Sequence, residues 1–427
     1  MRSIILILLV FVPAILSAQT KGQAVGEGMA AANDNLFIRL DTLVRNYLPF
    51  TDSVLSAKAN FIEPTEFIRS INDYRTHALE LLAGQPSDLL SLERDEIATI
   101  VRYYTNSYTL SYGIDVQKQS EYFNDTANFR PNDTGMVRKV IAAMAAIRIK
   151  NLSSGDIMRL DSMTWRGFEL NNAALYQRSP KYRELIDAYL VRVVFYKPKY
   201  LPKMMAVAKQ QASEYESKID IVRGEITDPY IREALLYRFT RLLLETKGKD
   251  TSQYYTDYLR DAIDPVNAAS IRGIHEKLEK YKPGSPAPEF VYPDVQGEPV
   301  ALSGMKGHYV YIDVWATWCG PCKAELPFLK KVETKYEGQN IRFIGISVDA
   351  AKDADKWKKF VADNKLPGLQ LMADHDFTSD FIDALSITSI PRFILIDPGG
   401  KIVSENASRP SNPELVVQLN KLLGRPL

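Results

Sequence analysis

The chain has 427 residues, room for two or three domains at the usual ~100–200 residues each. With 46% hydrophobic and 25% charged residues it has a folded, globular composition, which excludes wholesale disorder, collagen-like sequence and a polytopic membrane protein. Fifty-three basic against 52 acidic residues leave no positive excess for phosphates, so nucleic acid is not an expected partner, and two cysteines are too few for a disulfide-stapled scaffold.

Arg2 begins the chain's first feature, followed by an apolar run from Ile4 to Leu16 and a small-residue site at Leu16-Ser17-Ala18. Such a run, at ~1.5 Å per residue, reaches about 20 Å, short of a ~30 Å hydrocarbon core. A cleaved signal peptide over 1–18 is therefore expected rather than a retained membrane anchor, and no cysteine near residue 18 offers lipid attachment. The mature chain is expected to work outside the cytoplasm, in a periplasm or a similar space. There a lone cysteine pair is either a structural disulfide or a redox centre.

Residues 19–34, with Gly22, Gly26 and Gly28, read as a flexible leader. From 35 to 281 the periodicity is helical. Leu185, Ile186, Tyr189, Leu190, Val193 and Val194 form one apolar face, started by Ser179-Pro180. Ile231, Leu235, Leu236, Phe239, Leu242 and Leu243 form another, ended by Gly248, and Pro64 opens a helix that stops near Gly84. Nineteen of the 23 tyrosines precede residue 282, which suggests either an amphipathic groove for a partner or packing between helices. The charged stretch Lys197–Lys203 reads as a solvated helix end. His77, His275, His308 and His375 lack ligand spacing, so no metal is expected.

Three prolines in Lys282–Pro288 mark a connector over 282–289 with few expected contacts across it. Beyond it, Tyr309–Val314 and Ile341–Val348 read as buried strands. Phe393–Ile396 and Lys401–Ser404 read as a hairpin across Asp397-Pro398-Gly399-Gly400. Helices are predicted near 320–336, 353–364, 376–385 and 412–423. An α/β domain over 290–427 is thus expected behind an all-α N-terminal domain.

Both cysteines lie in Cys319-Gly320-Pro321-Cys322, between a predicted strand and a predicted helix. At a helix N-terminus the free N–H groups and the helix dipole stabilise a thiolate. A thiol of pKa ~8.5 is about 3% ionised at pH 7, whereas one of pKa ~7 is half ionised. Cys319 is therefore the expected nucleophile and Cys322, one turn in and more buried, the resolving thiol. Zinc would need a second ligand pair, and covalent haem would need histidine where Lys323 stands. A peroxidase of the Thr-x-Cys kind, with Thr317 and Cys319, would need proline where Asp313 stands. A disulfide closing so short a loop would stabilise little.

The segment from Trp315 to Pro327, with Trp318 beside Cys319, resembles the active site of the thioredoxin superfamily. More narrowly it resembles the exported TlpA/ResA-like thiol-disulfide oxidoreductases. Pro283–Pro288, the Val295-Gln296-Gly297 turn, an insertion from Asp349 to about Leu385 and Ile390-Pro391 are similar to the same group, over roughly 283–427. The resemblance implies a thioredoxin-like fold and several roles. Asp313 would relay a proton to the resolving cysteine, Pro327 would kink the helix, and Pro391 would lie against the disulfide with Ile390 pairing to a substrate strand. Trp318, Gly320 and Pro321 would contact substrate. Glu325 would be a second acid near the thiols, although its first-turn position also fits an exposed helix acid.

The sequence thus leads to an exported protein-disulfide reductase that uses no cofactor, takes protein disulfides as substrates and depends on an electron-donating thiol partner. The Gly-Pro pair between the cysteines resembles reducing members. An oxidase or isomerase of the same fold, and a client-binding module dominated by the helices, remain the alternatives.

Overall fold

The structure, a computed structural model, describes residues 34–48, 60–83, 90–124, 142–143, 145–196, 210–247 and 251–426. The expected signal peptide, nearly all of the expected leader, the helix ends at Gly84 and Gly248 and the stretch Lys197–Lys203 lie outside the described residues. The chain forms two compact units, one ending at Leu235 and the other containing Leu236–Leu427.

The first unit is helical. Its helices are α1 (Asp34–Tyr47), α2 (Pro64–Glu80), α3 (Leu90–Ser111), α4 (Val116–Asn124), α5 (Ser154–Trp165), α6 (Ala173–Arg178), α7 (Pro180–Tyr196) and α8 (Gln210–Glu225). They begin where the sequence supplies caps. Ser153 accepts from Asp156 N ahead of α5, Asn172 from Leu175 N ahead of α6, and Ser179 Oγ from Tyr182 N at 3.2 Å ahead of α7. Tyr74, Tyr104, Tyr108 and Tyr112 bury their rings in one core with Phe67 and Ile71, and Tyr108 donates to the Ile62 carbonyl at 2.6 Å. These tyrosines pack helices together; their rings do not line a groove.

Helix α9 (Pro229–Lys247) ends in the second unit, followed by α10 (Ser252–Asp261) and α11 (Pro265–Lys280), the last capped by Asp264. A short hairpin of β1 (Val291–Pro293) and β2 (Pro299–Ala301) comes next. The sheet then forms from β3 (Tyr309–Trp315), β4 (Ile341–Ser347), β5 (Leu369–Met372), β6 (Arg392–Ile396) and β7 (Ile402–Ser404) in the order β5-β4-β3-β6-β7. Strand β3 is central, parallel to β4 and antiparallel to β6. Helices α12 (Gly320–Lys335), α13 (Ala354–Asp363), α14 (Asp380–Ala384) and α15 (Pro413–Leu422) complete the unit. This is the expected α/β, thioredoxin-like arrangement behind a helical N-terminal region. The helix expected over 376–385 is a 3₁₀ turn at Asp376–Thr378 followed by α14.

The connector differs from its expected form. Gly284 N donates to Ile402 O at 2.8 Å, Ile402 N to Ser285 O at 2.9 Å and Ala287 N to Gly400 O at 2.9 Å. Proline stops the helix here, but the non-proline N–H groups between the prolines remain free to bond the β7 edge. Further contacts tie α11 and the residue after it to α14 and the core beside the sheet. Lys277 Nζ meets both oxygens of Asp383 at 2.7 Å, and Tyr281 packs on the sheet's core. The division between units therefore falls within α9, upstream of 282–289.

Alternation along β3 sorts its side chains. Val310, Ile312 and Val314 join the core that contains both cysteines, Ile346 and Trp357. Tyr311 faces the opposite core with Leu329, Tyr336, Phe393, Leu415 and Leu419. Asp313, two residues from Tyr311, belongs to that second face, which the cysteine-bearing helix α12 covers through Leu329 and Val332.

Gly368, at φ +65°, leads into β5, and a Cβ there would lie 2.6 Å from the Phe343 carbonyl oxygen. Gly338 has φ +74° with nothing within 4 Å of such a Cβ. Left-handed backbone costs a non-glycine residue about 1–2 kcal/mol, so Gly338→Ala should lose about that much in urea unfolding. Gly368→Ala should lose at least twice as much; equal losses would contradict this packing.

Candidate active site

Strand β3 ends at Trp315, and its continuation places Cys319 as the N-cap of α12, disulfide-bonded to Cys322. Cys319 Sγ accepts from Cys322 N at 3.1 Å, the bond a capping oxygen would take at this position. Pro321 fits the first turn, where its missing N–H has no intrahelical partner to lose. Cys319 is 4% exposed and Cys322 1%, so in the disulfide form burial hardly separates the two. The helix N-terminus is what distinguishes Cys319. Trp318, 55% exposed, stands beside the disulfide with Gly320 and Pro321, which are also exposed. The Phe377 ring lies 6.4 Å from that of Trp318.

The loop before the disulfide is fixed by Asp349, a residue with no local signal to single it out in the sequence. Asp349, fully buried, accepts from Thr317 N at 2.8 Å, from Thr317 Oγ1 at 2.7 Å and from Ser347 Oγ at 2.7 Å. The β3–β4 register explains the meeting: Trp315 pairs with Ser347 at the end of the ladder, which brings residues 317 and 349 together just beyond it. A charged acceptor with three donors is a strong anchor.

Asp313 is buried, and its Oδ1 has no hydrogen-bond partner. Burial pushes its carboxyl up to about 8, nearby Glu325 adds to the rise, and Arg409 opposes it. Glu325 is buried as well, so the exposed-acid alternative does not hold. It accepts from Ser411 N at 3.0 Å and Ser411 Oγ at 2.8 Å, and Arg409 lies 3.9 Å away. Glu333, on the same helix, is pushed up to about 7 by burial. Glu333, Arg409 and Ser411 escape detection from sequence, since only the folded C-terminal loop brings the last two onto α12.

Ile390 and Pro391, joined by a cis peptide bond, precede β6. Ile390 packs against the core that includes Cys319 and Cys322. Among the described residues, the backbone groups of Ser389 and Ile390 make no hydrogen bond. No group of three or more His, Cys, Asp or Glu among the described residues is arranged for a metal ion.

A disulfide at a helix N-terminus, on a thioredoxin-like sheet whose central strand buries a carboxyl with one unpartnered oxygen, is the arrangement of a thiol-disulfide exchange centre. Residues 282–419 match the Redoxin family. The thiol-disulfide oxidoreductase ResA of Bacillus cereus is 30% identical over 151 residues, covering 35% of this chain and 84% of the relative. ResA of Bacillus subtilis is 32% identical over 125 residues, 29% of this chain and 67% of the relative. The thioredoxin domain of a thiol-disulfide oxidoreductase from Bacteroides vulgatus is 30% identical, covering 33% of this chain and 98% of that one, with a TM-score of 0.30. The chain belongs to the ResA-like thiol-disulfide oxidoreductases.

The Asp313 carboxyl makes stability depend on pH. Its native pKa of about 8 exceeds the unfolded value of ~3.9, so between these pH values the native state holds a proton that the unfolded chain has lost. Stability from this group is full at low pH and is lost as pH rises, by up to about 1.4 kcal/mol per pH unit, until the loss is complete above 8. The oxidised Asp313→Asn variant should therefore gain on the wild type as pH rises from 5 to 8 in urea unfolding. A pH-independent difference would contradict the assignment.

Proposed function

We propose that the protein is an exported enzyme that reduces protein disulfides through Cys319 and Cys322. The observation that carries this reading is the N-cap cysteine on a domain whose central strand holds a buried carboxyl titrating near neutral pH. In the forward reaction the Cys319 thiolate attacks a client disulfide and releases one client thiolate, forming a mixed disulfide. Asp313 takes the proton from Cys322, whose thiolate then attacks the Cys319 sulfur, expels the second client thiolate and closes the Cys319–Cys322 disulfide. Two electrons pass to the client, and the released thiolates take up two protons. A separate thiol protein returns the electrons.

A carboxyl within about one unit of pH 7 suits this proton transfer, and Glu325 would tune it through its charge. Trp318, Gly320 and Pro321 form the exposed surface where a client would land, and the unpaired backbone at Ser389–Ile390 could accept an extended client segment. Export is supported by the N-terminal sequence. Among the described residues, no helix is long and apolar enough to cross a membrane. The helical region before 282 would serve client selection, since it carries neither cysteine.

Brief iodoacetamide treatment of the reduced protein at pH 7, followed by mass mapping, should modify Cys319 well before Cys322. Preferential modification of Cys322 would overturn the role assignment. The midpoint potential decides direction. A reductase should lie nearer thioredoxin, at about −270 mV, than the strong oxidant DsbA, at about −120 mV. A value near the latter would make the protein an oxidase.

A further inference from the structure

The loop around Ile390–Pro391 is gripped from outside the sheet. Glu245, in the last turn of α9, reaches it on both sides. Its Oε2 accepts from Thr388 Oγ1 at 3.0 Å, and its main-chain carbonyl accepts from Arg392 Nη2 at 3.2 Å. Its Oε1 is taken by Arg241 Nε at 2.8 Å, one helical turn earlier, so the carboxylate is itself held in place. The carbonyl is one of the last four in α9, whose intrahelical partners run out, and a guanidinium there both caps the helix and complements its dipole. Two of these three bonds hold residues 388 and 392 and the third holds Glu245, while among the described residues the backbone of Ser389 and Ile390 between them is left unpaired.

Nothing in disulfide exchange itself calls for this clamp. Cys319 and Cys322 are held by α12, and their loop by Asp349. The clamp acts instead on the edge beside the disulfide that an extended chain would pair with. A free backbone edge binds a strand best when it is already in one conformation, because the ordering cost is then not met on binding. We propose that Glu245 is a positioning residue for client recognition, presenting the Ser389–Ile390 edge in a fixed geometry to extended protein segments. It makes the end of α9 the selectivity element for the exchange centre. The proposal rests on the disulfide-exchange reading of Cys319.

The test uses the full chain with Cys322→Ser, so that the reaction stops at the mixed disulfide whichever direction operates in the cell. Rates of mixed-disulfide formation are measured with a disulfide-linked pair of extended peptides and with hydroxyethyl disulfide, which has no backbone to pair. Glu245→Ala should slow the peptide reaction at least fivefold and change the hydroxyethyl reaction less than twofold. Glu245→Gln keeps an oxygen acceptor for Thr388 and should recover most of the peptide rate. Thr388→Val, made separately, should match Glu245→Ala, and the double variant should add nothing further. Equal slowing with both disulfides, or an unchanged peptide rate in both Glu245→Ala and Thr388→Val, would overturn the proposal. If the parent Cys322→Ser protein reacts with neither disulfide, the exchange reading itself fails and the proposal fails with it.

Discussion

The Asp313 carboxyl lies on the central strand with Oδ1 buried and partnerless, and much of the domain is arranged around that burden. Burying a charge without compensation is costly, and the group answers by holding its proton to about pH 8. An apolar residue in this place would make a more stable sheet. The carboxyl is tolerated because β3 is held by neighbours on both sides, over seven register pairs with β4 and five with β6. Of the surrounding charged groups, Arg409 alone limits the rise. Burial is the largest cause, Glu325 and Glu333 push the carboxyl further up, and Arg409 pulls it down, to leave it at about 8.

The same strand aims the chemistry. Its end leads directly to the loop that Asp349 anchors, and that loop delivers Cys319 to the N-terminus of α12. Thiol and carboxyl are thus two outputs of one piece of backbone, six residues apart in sequence. A slip of register between β3 and β4 would move Asp313 to the wrong face and Thr317 away from Asp349 together. This shared dependence ties the placement of both groups to the register of the central strand.

The strands around the site were legible because fully apolar, β-branched runs bounded by turn residues fit a buried strand and little else. The CxxC was legible because its two cysteines are the whole supply. Asp313 stood out as a charge inside an apolar strand. Glu325 was ambiguous, since an acid close to a helix start is ordinarily exposed; it lies in the second turn of α12, where Ser411 and Arg409 of the C-terminal loop meet it. Asp349 was hidden because its partners follow from strand register, and Glu245 because Thr388 and Arg392 lie more than 140 residues away. The connector misled for a related reason. Prolines report where a helix ends, but the hydrogen bonds of Gly284 and Ala287 to the β7 edge depend on a neighbour that local sequence does not name.

Everything in this mechanism turns on Asp313 exchanging protons with the Cys319–Cys322 pair as that pair changes redox state. The direct measurement is the midpoint potential of the pair from pH 6 to 10, in wild type and Asp313→Asn. A negative thiolate formed near a carboxyl raises the carboxyl's pKa, so the reduced protein should bind a proton that the oxidised protein has released above pH 8. The wild-type curve should therefore steepen near pH 8, by about 30 mV per pH unit for one extra proton in a two-electron couple, and the variant's should not. Superimposable curves would contradict the claim.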